Sequence, residues 1–221
     1  YDGDTHLLFV NTQVFEKYGV SIPKTWDEYD AASAKITQDS QGAVYGSIVS
    51  GQQVPMILGC SFINRLAGYG GELVDSSGKP QLVSSAAVSA LNHLVKVAPS
   101  AYPTVLQTGF DQANTAWLSG KGAMLDTWTD MALKSQDKST SQIVDKWTAV
   151  PLPVGGSNKT PRTALNAGFG LGVSSGSKQP NAAAAFVEWA TSKTVNAAQA
   201  TFAGSWIDPT RSSVLQSAQY A

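Results

Sequence analysis

The sequence predicts an α/β fold with a largely parallel sheet. Short apolar runs alternate with stretches of helical period, as they do where strands and helices take turns along a chain. Helix starts carry capping residues and helix ends carry glycines. Hydrophobic residues make up 43% of the 221 residues, enough to bury a core.

The first run, Leu7-Leu8-Phe9-Val10, reads as a buried strand. Asn11 or Thr12 then caps a short helix ending at Gly19. Thr25-Trp26-Asp27-Glu28 is a capping box, with a threonine cap and a glutamate three residues on. Its helix runs to about Ile36. Val44 to Val49 reads as a strand, and residues 55 to 66 as an apolar helix stopped by Gly68, Gly70 and Gly71. Leu73-Val74 and Gln81-Leu82-Val83 flank the turn Asp75-Ser76-Ser77-Gly78 as a small hairpin. Ser84 or Ser85 caps the next helix, whose apolar face is Val88, Leu91, Val95 and Ala98.

A short helix holding Ala113, Trp117 and Leu118 stops at Gly120 and Gly122. Ala123-Met124-Leu125 reads as a strand, Trp128 to Ser135 as helix, and Trp147 to Val150 as a strand ended by Pro151 and Pro153. Phe169 to Ser174 reads as a strand. Pro180 opens a helix with Phe186, Val187 and Ala190 on its apolar face, and a last helix ends at Gly204.

Composition excludes several functions. Net charge is −1 and charged residues are 14%, without the basic stripe that nucleic acid demands. No apolar stretch approaches the roughly 18 residues of a membrane span. The single Cys60 sits in an apolar run and reads as a buried thiol. Of the two histidines, His93 reads as a surface or half-buried residue of an amphipathic helix. No zinc-protease pair, serine-hydrolase elbow, phosphate loop or dinucleotide spacing is present. Asn158-Lys159-Thr160 matches a glycosylation sequon by chance. Asp2 with Asp4, or Asp126 with Asp130, supply carboxylates for a glycan-active hydrolase, the alternative function. A scaffold or adhesin domain without a small ligand is a third reading.

Six tryptophans in a weakly charged chain point towards sugars, which need an aromatic surface for their C–H faces and fixed polar groups for their hydroxyls. Trp26, inside the capping box, and Trp147 and Trp189, on the apolar patterns of a strand and a helix, read as core. Trp128 and Trp206 lie beside turn and strand-end chemistry, where ligand contacts concentrate.

Segments spread in order over nearly the whole chain carry a family resemblance. They are Tyr1 to Asn11 with Pro23-Lys24-Thr25-Trp26-Asp27-Glu28; Gly70-Gly71-Glu72-Leu73; Gly120-Lys121-Gly122-Ala123-Met124 with Trp128; and Gly168-Phe169-Gly170-Leu171-Gly172-Val173 with Ser177-Lys178. Together they resemble the carbohydrate-binding extracellular solute-binding proteins of family 1, which include the maltose-binding protein. The resemblance implies a periplasmic-binding-protein-like type II fold, with two lobes, a hinge and one lobe incomplete. Residues 1–11 would be a hinge-crossing strand, 12–150 the C-terminal-type lobe, 151–203 part of the N-terminal-type lobe, and 204–221 a hinge return.

The same resemblance implies a non-enzymatic, extracytoplasmic receptor of an ABC importer, periplasmic or lipid-anchored, peripheral to the membrane and without a cofactor. Its partners would be a carbohydrate or polyol and the permease subunits. Asp4, Phe62, Trp128, Asn166, Gly168, Phe169, Trp206 and Arg211 would line the ligand cleft. Two departures bear on which sugar: Phe169 stands where many relatives have a second glycine or a tryptophan, and Asp208-Pro209-Thr210-Arg211 replaces a proline-arginine run. A chain of these residues alone is expected to bind sugar weakly or not at all and to self-associate.

Overall fold

The computed structural model describes residues 1–163, 168–202, 205 and 207–220. The chain divides into two compact units. One comprises Tyr1–Thr5, Trp128–Leu133 and Asn166–Ala221; the other comprises His6–Thr127 and Lys134–Leu165.

The larger unit is built around strand β1 (His6–Asn11), the middle strand of the order β2-β1-β3, with β2 at Met124–Trp128 and β3 at Trp147–Val150. Both faces of β1 are covered by other parts of the unit, which is why its sequence is a continuous apolar run. Leu8 and Val10 point into the main core with Val14, Phe15, Trp26, Tyr29, Ile36 and Met124. Phe9 points the other way, onto Trp117 and Trp147 at ring separations of 6.2 and 5.4 Å. The pairing of β1 with β3 is antiparallel, Leu8 opposite Val150 and Asn11 opposite Trp147. This antiparallel pairing departs from the largely parallel sheet that the sequence predicts.

Local signals set the helices. Asn11 accepts from the Val14 amide at 3.1 Å and starts α1 (Thr12–Lys17). Gly19, at φ +60°, follows that helix in a conformation suited to glycine. The capping box forms as the spacing predicts: Thr25 and Glu28 exchange bonds at the start of α2 (Trp26–Asp39). Next come α3 (Pro55–Gly68) and α4 (Ser85–Val97), then α5 (Phe110–Leu118) and α6 (Met131–Gln136). In the smaller unit lie α7 (Pro180–Ala190), α8 (Lys193–Ala200) and α9 (Ser212–Leu215). Gly204, read as the end of the last long helix, lies outside the described residues.

Several sequence expectations are corrected. The buried face of α4 is Ala87, Ala90, His93 and Val97, while Val88, Leu91 and Val95 are 48–73% exposed. Small alanines let α4 approach closely, and the buried contact between His93 and Asp30 fixes which face turns inward. His93 is thus a core residue, 2% exposed.

Trp189, read as core, is 60% exposed on α7, and Trp147 is half-buried. The segment around Val44–Val49 makes only isolated parallel bridges, Tyr45 with Gly122, Ser47 with Ala101 and Ile48 with Leu125. Its backbone bonds alternate between two neighbours, so no single ladder forms. The expected strand from Phe169 to Ser174 and the expected hairpin each reduce to one bridge, Asp2 with Phe169 and Val74 with Pro80. Trp128 ends β2, and the helix begins three residues later than read.

Candidate functional site

In the smaller unit the site grows from the first residues of the chain. The Tyr1 nitrogen donates to the Phe169 carbonyl at 2.7 Å, and the Phe169 amide donates to the Asp2 carbonyl at 3.0 Å. Gly168 is required by this approach: a Cβ there would lie 2.8 Å from the Asp2 carbonyl oxygen. The bridge places Gly168 and Phe169 beside Asp2 and Gly3, next to Asp4. The Phe169 ring is 61% exposed, whereas Asp4 is only 8% exposed.

A polar cluster extends from the same segment. Thr129 accepts from the Thr5 amide at 3.2 Å and donates to the Asp208 carboxylate. Asp208 also receives the Tyr220 hydroxyl at 3.0 Å, and its own amide donates to the Asp2 carboxylate at 2.9 Å. Burial, reinforced by the Asp208 charge, pushes the Tyr220 phenol up to about 12, so it stays a hydrogen-bond donor.

These bonds bring Asp4, Gly168, Phe169 and the end of β2 at half-buried Trp128 into one neighbourhood of the smaller unit. Arg211 belongs to the same unit, but its Nε and Nη2 both donate to the Thr191 carbonyl, at 3.0 and 2.7 Å. That contact satisfies the end of α7 and complements its dipole. Asn166 and Trp206 lie outside the described residues.

Phe62 belongs to the larger unit. It packs on Leu66, Ala87 and Ala90, and it lines a groove of about 540 Å³ with Val54, Pro55, Leu58, Leu91 and Leu94. Sequence reasoning missed Asp2, Thr129, Asp208 and Tyr220 as a cluster. Its members are separated by up to about the whole chain, and only Asp208, beside Pro209, carried a local signal.

Two of the candidate carboxylates are engaged by other groups. Asp126 is 6% exposed and receives both Nη groups of Arg65 at 3.1 Å. Asp2 is engaged by the Asp208 amide. Burial, and then the charge of Asp126, raises the Cys60 thiol, which keeps it protonated and poorly nucleophilic. Among the described residues no group of His, Cys, Asp or Glu could hold a metal ion. An exposed ring beside fixed polar groups is an arrangement suited to binding.

Comparison with known proteins agrees. The family model described as bacterial extracellular solute-binding protein matches residues 1–197. A probable ABC transporter-binding protein of Deinococcus radiodurans is 30% identical over 194 residues, covering 85% of this chain and 45% of that protein. The chain spans about half the length of such relatives.

Among solved structures, the maltose-bound MalE3 of T. maritima superposes with a TM-score of 0.79 at 25% identity, over 100% of this chain and 56% of the other. A ribitol complex of an ABC transporter solute-binding protein from Agrobacterium radiobacter gives 0.73 at 25% identity, over 88% and 49%. The fold is the periplasmic-binding-protein-like type II α/β class. The chain belongs to the bacterial extracellular solute-binding protein family. Its relatives are transporter-binding proteins rather than enzymes, and no described helix is long and apolar enough to cross a membrane.

Proposed function

We propose that the chain is part of the receptor of an ABC importer that binds a sugar, oligosaccharide or polyol in an interlobe cleft and hands it to a membrane permease. In this reading the protein works outside the cytoplasm, in the periplasm or lipid-anchored at the cell surface. Residues 12–150 belong to the C-terminal-type lobe and 151–203 to the N-terminal-type lobe, joined by hinge segments at 1–11 and 204–221.

The observation that carries the ligand class is the exposed Phe169 ring held by backbone bonds beside Asp2 and Asp4. A ring face covers sugar C–H groups, and nearby carboxylates accept from hydroxyls. The maltose and ribitol named for structural neighbours support the same class. Phe62, Trp128, Asn166, Gly168, Trp206 and Arg211 complete the proposed lining. Closure by hinge bending would present the loaded form to the permease.

Calorimetry on the full-length protein with maltose, other oligosaccharides, ribitol and mannitol tests this. Binding of one member, weakened at least about tenfold by Phe169→Ala, is the expected result. A folded protein that binds no member of the panel overturns it.

A further inference from the structure

The larger unit contains a polar arrangement that ligand contact does not explain. The chain passes between its two units after Thr5, after Thr127, after Leu133 and after residue 165. Close to three of these passages, a residue of the larger unit is tied to the C-terminal half of α3. His6, the first residue after the first passage, is 3% exposed and contacts the Asn64 side-chain amide through Nδ1. Because the Asn64 nitrogen can only donate, that contact puts the imidazole proton on Nε2.

Asp126, next to the last residue before the second passage, is held by both Nη groups of Arg65. Ahead of the passage after residue 165, Arg162 donates to the Ala67 and Gly71 carbonyls at 3.2 and 2.9 Å, and the Thr163 hydroxyl reaches Asn64 Oδ1 at 3.5 Å. Asn64 and Arg65 are adjacent in sequence, both 0% exposed, and they serve separate passages.

Stability alone gives no reason for this arrangement. A buried guanidinium–carboxylate pair loses most of its attraction to desolvation, and an apolar pair of the same volume stabilises as well or better. What the polar pairs add is a fixed relation between one helix turn and three points on the chain. Arg65 is itself held in place, with Nη1 on the Ser61 carbonyl at 2.9 Å and its guanidinium 5.0 Å from the Trp26 ring centre. The N-terminal half of the same helix carries Met56, which is 70% exposed, and Leu58, with Phe62 just beyond it.

We infer that Asn64 and Arg65 are positioning residues: they fasten the ends of the inter-unit segments to α3, so that a shift of α3 is passed to those segments as one. The consequence for ligand capture, that a solute touching Phe62 moves the hinge through α3, rests on the solute-binding reading. The fastening itself does not.

Hydrogen exchange on the unliganded chain tests the fastening without any sugar, so its outcome is independent of whether solute binding is the function. Thr163→Val removes the hydroxyl that reaches Asn64 Oδ1 and leaves the contact between Asn64 and His6 in place. It should speed exchange roughly fivefold in peptides spanning residues 159–163, and leave those spanning 6–8 unchanged. Asn64→Leu should speed both.

The paired change Arg65→Met with Asp126→Leu keeps an apolar, filled core. It should raise exchange at 124–127 while the urea midpoint stays at or above that of the parent. Uniform acceleration across all peptides, α2 included, or no acceleration at the named ends, would show that these side chains serve general stability only.

Discussion

His93 Nδ1 lies 2.9 Å from Asp30 Oδ1 in the core of the larger unit, with the rings of Trp26 and Tyr29 packed against the imidazole at 4.7 and 5.6 Å. Burial pulls the His93 pKa below its ordinary value, and the Arg65 charge adds to this against the opposing pull of Asp30. Burial alone would raise Asp30, but the hydrogen bonds and charges of His93 and Lys96 hold it below the usual carboxylate range.

Both shifts act in the same direction on stability. Below pH about 6.5 the unfolded chain takes up a proton at His93 that the folded chain does not, so stability falls as pH falls. Asp30 adds a further loss below pH about 4, where its unfolded form protonates first. Urea midpoints should therefore drop between pH about 7 and 5, by at most about 1.4 kcal/mol per pH unit from His93. His93→Gln should flatten that slope while lowering stability at neutral pH. A slope unchanged by the substitution would assign the loss to other groups.

At the alkaline end the sign reverses. Burial, then the Asp126 charge, pushes the Tyr29 phenol well above its ordinary value. The folded chain keeps that proton after the unfolded chain has lost it, so stability declines above pH about 10. Tyr29→Phe should remove this decline, read as the change in unfolding midpoint between pH about 9 and 11.

Arg65 and Asp126 make a sharp stability prediction. Arg65→Met strands a carboxylate that is 6% exposed and should cost about 3–5 kcal/mol by chemical denaturation. Adding Asp126→Leu should return stability to the parent level or above, because the penalty was the uncompensated charge. A double variant as unstable as the single one would place the cost in lost packing against Trp26.

Much of the larger unit was legible in the sequence because its signals are local. The cap at Asn11, the box at Thr25 and Glu28, and the unbroken run through β1 each depend on residues within one turn or one strand. The inward face of α4 was not legible, because Val88, Leu91 and Val95 carry the stronger apolar pattern. What turns that helix is the Asp30–His93 pair, a contact between residues 63 positions apart. For the candidate site, the aromatic and glycine at 168–169 were visible in the motif, but the Asp2–Thr129–Asp208–Tyr220 cluster was not. It joins widely separated polar residues that are unremarkable one at a time.

Two glycines of α3 should respond in opposite directions to the same change. A Cβ at Gly68 would lie 2.3 Å from Trp26 Nε1 and 2.7 Å from the Pro153 carbonyl, so Gly68→Ala forces a shift of backbone and should cost about 1–3 kcal/mol. A Cβ at Gly59 meets nothing within 4 Å, and Gly59→Ala should stabilise by about 0.5–1 kcal/mol through the unfolded chain's lost freedom. Thermal midpoints of the two variants check both signs; equal shifts would contradict the packing at Gly68.

The last prediction concerns the smaller unit's surface. On α7 only Ala190 is buried, although the helix is mostly apolar. Phe186 is 57% and Trp189 60% exposed, with their rings 5.7 Å apart on one face. Phe169 and Phe202 add exposures of 61% and 73%. Large rings clustered at a surface are costly in water and tend to find another apolar surface. The 221-residue chain should therefore self-associate, with a mass by light scattering that rises above one chain as concentration increases. Phe186→Glu with Trp189→Lys should return it to a single chain, because the change removes both rings of the pair and adds charges that resist burial. The folded larger unit provides the control, since its tryptophan-rich core gives a near-ultraviolet signal that the two substitutions should leave largely in place. A parent chain that stays at the mass of one copy across the concentration series would show that these rings do not drive association.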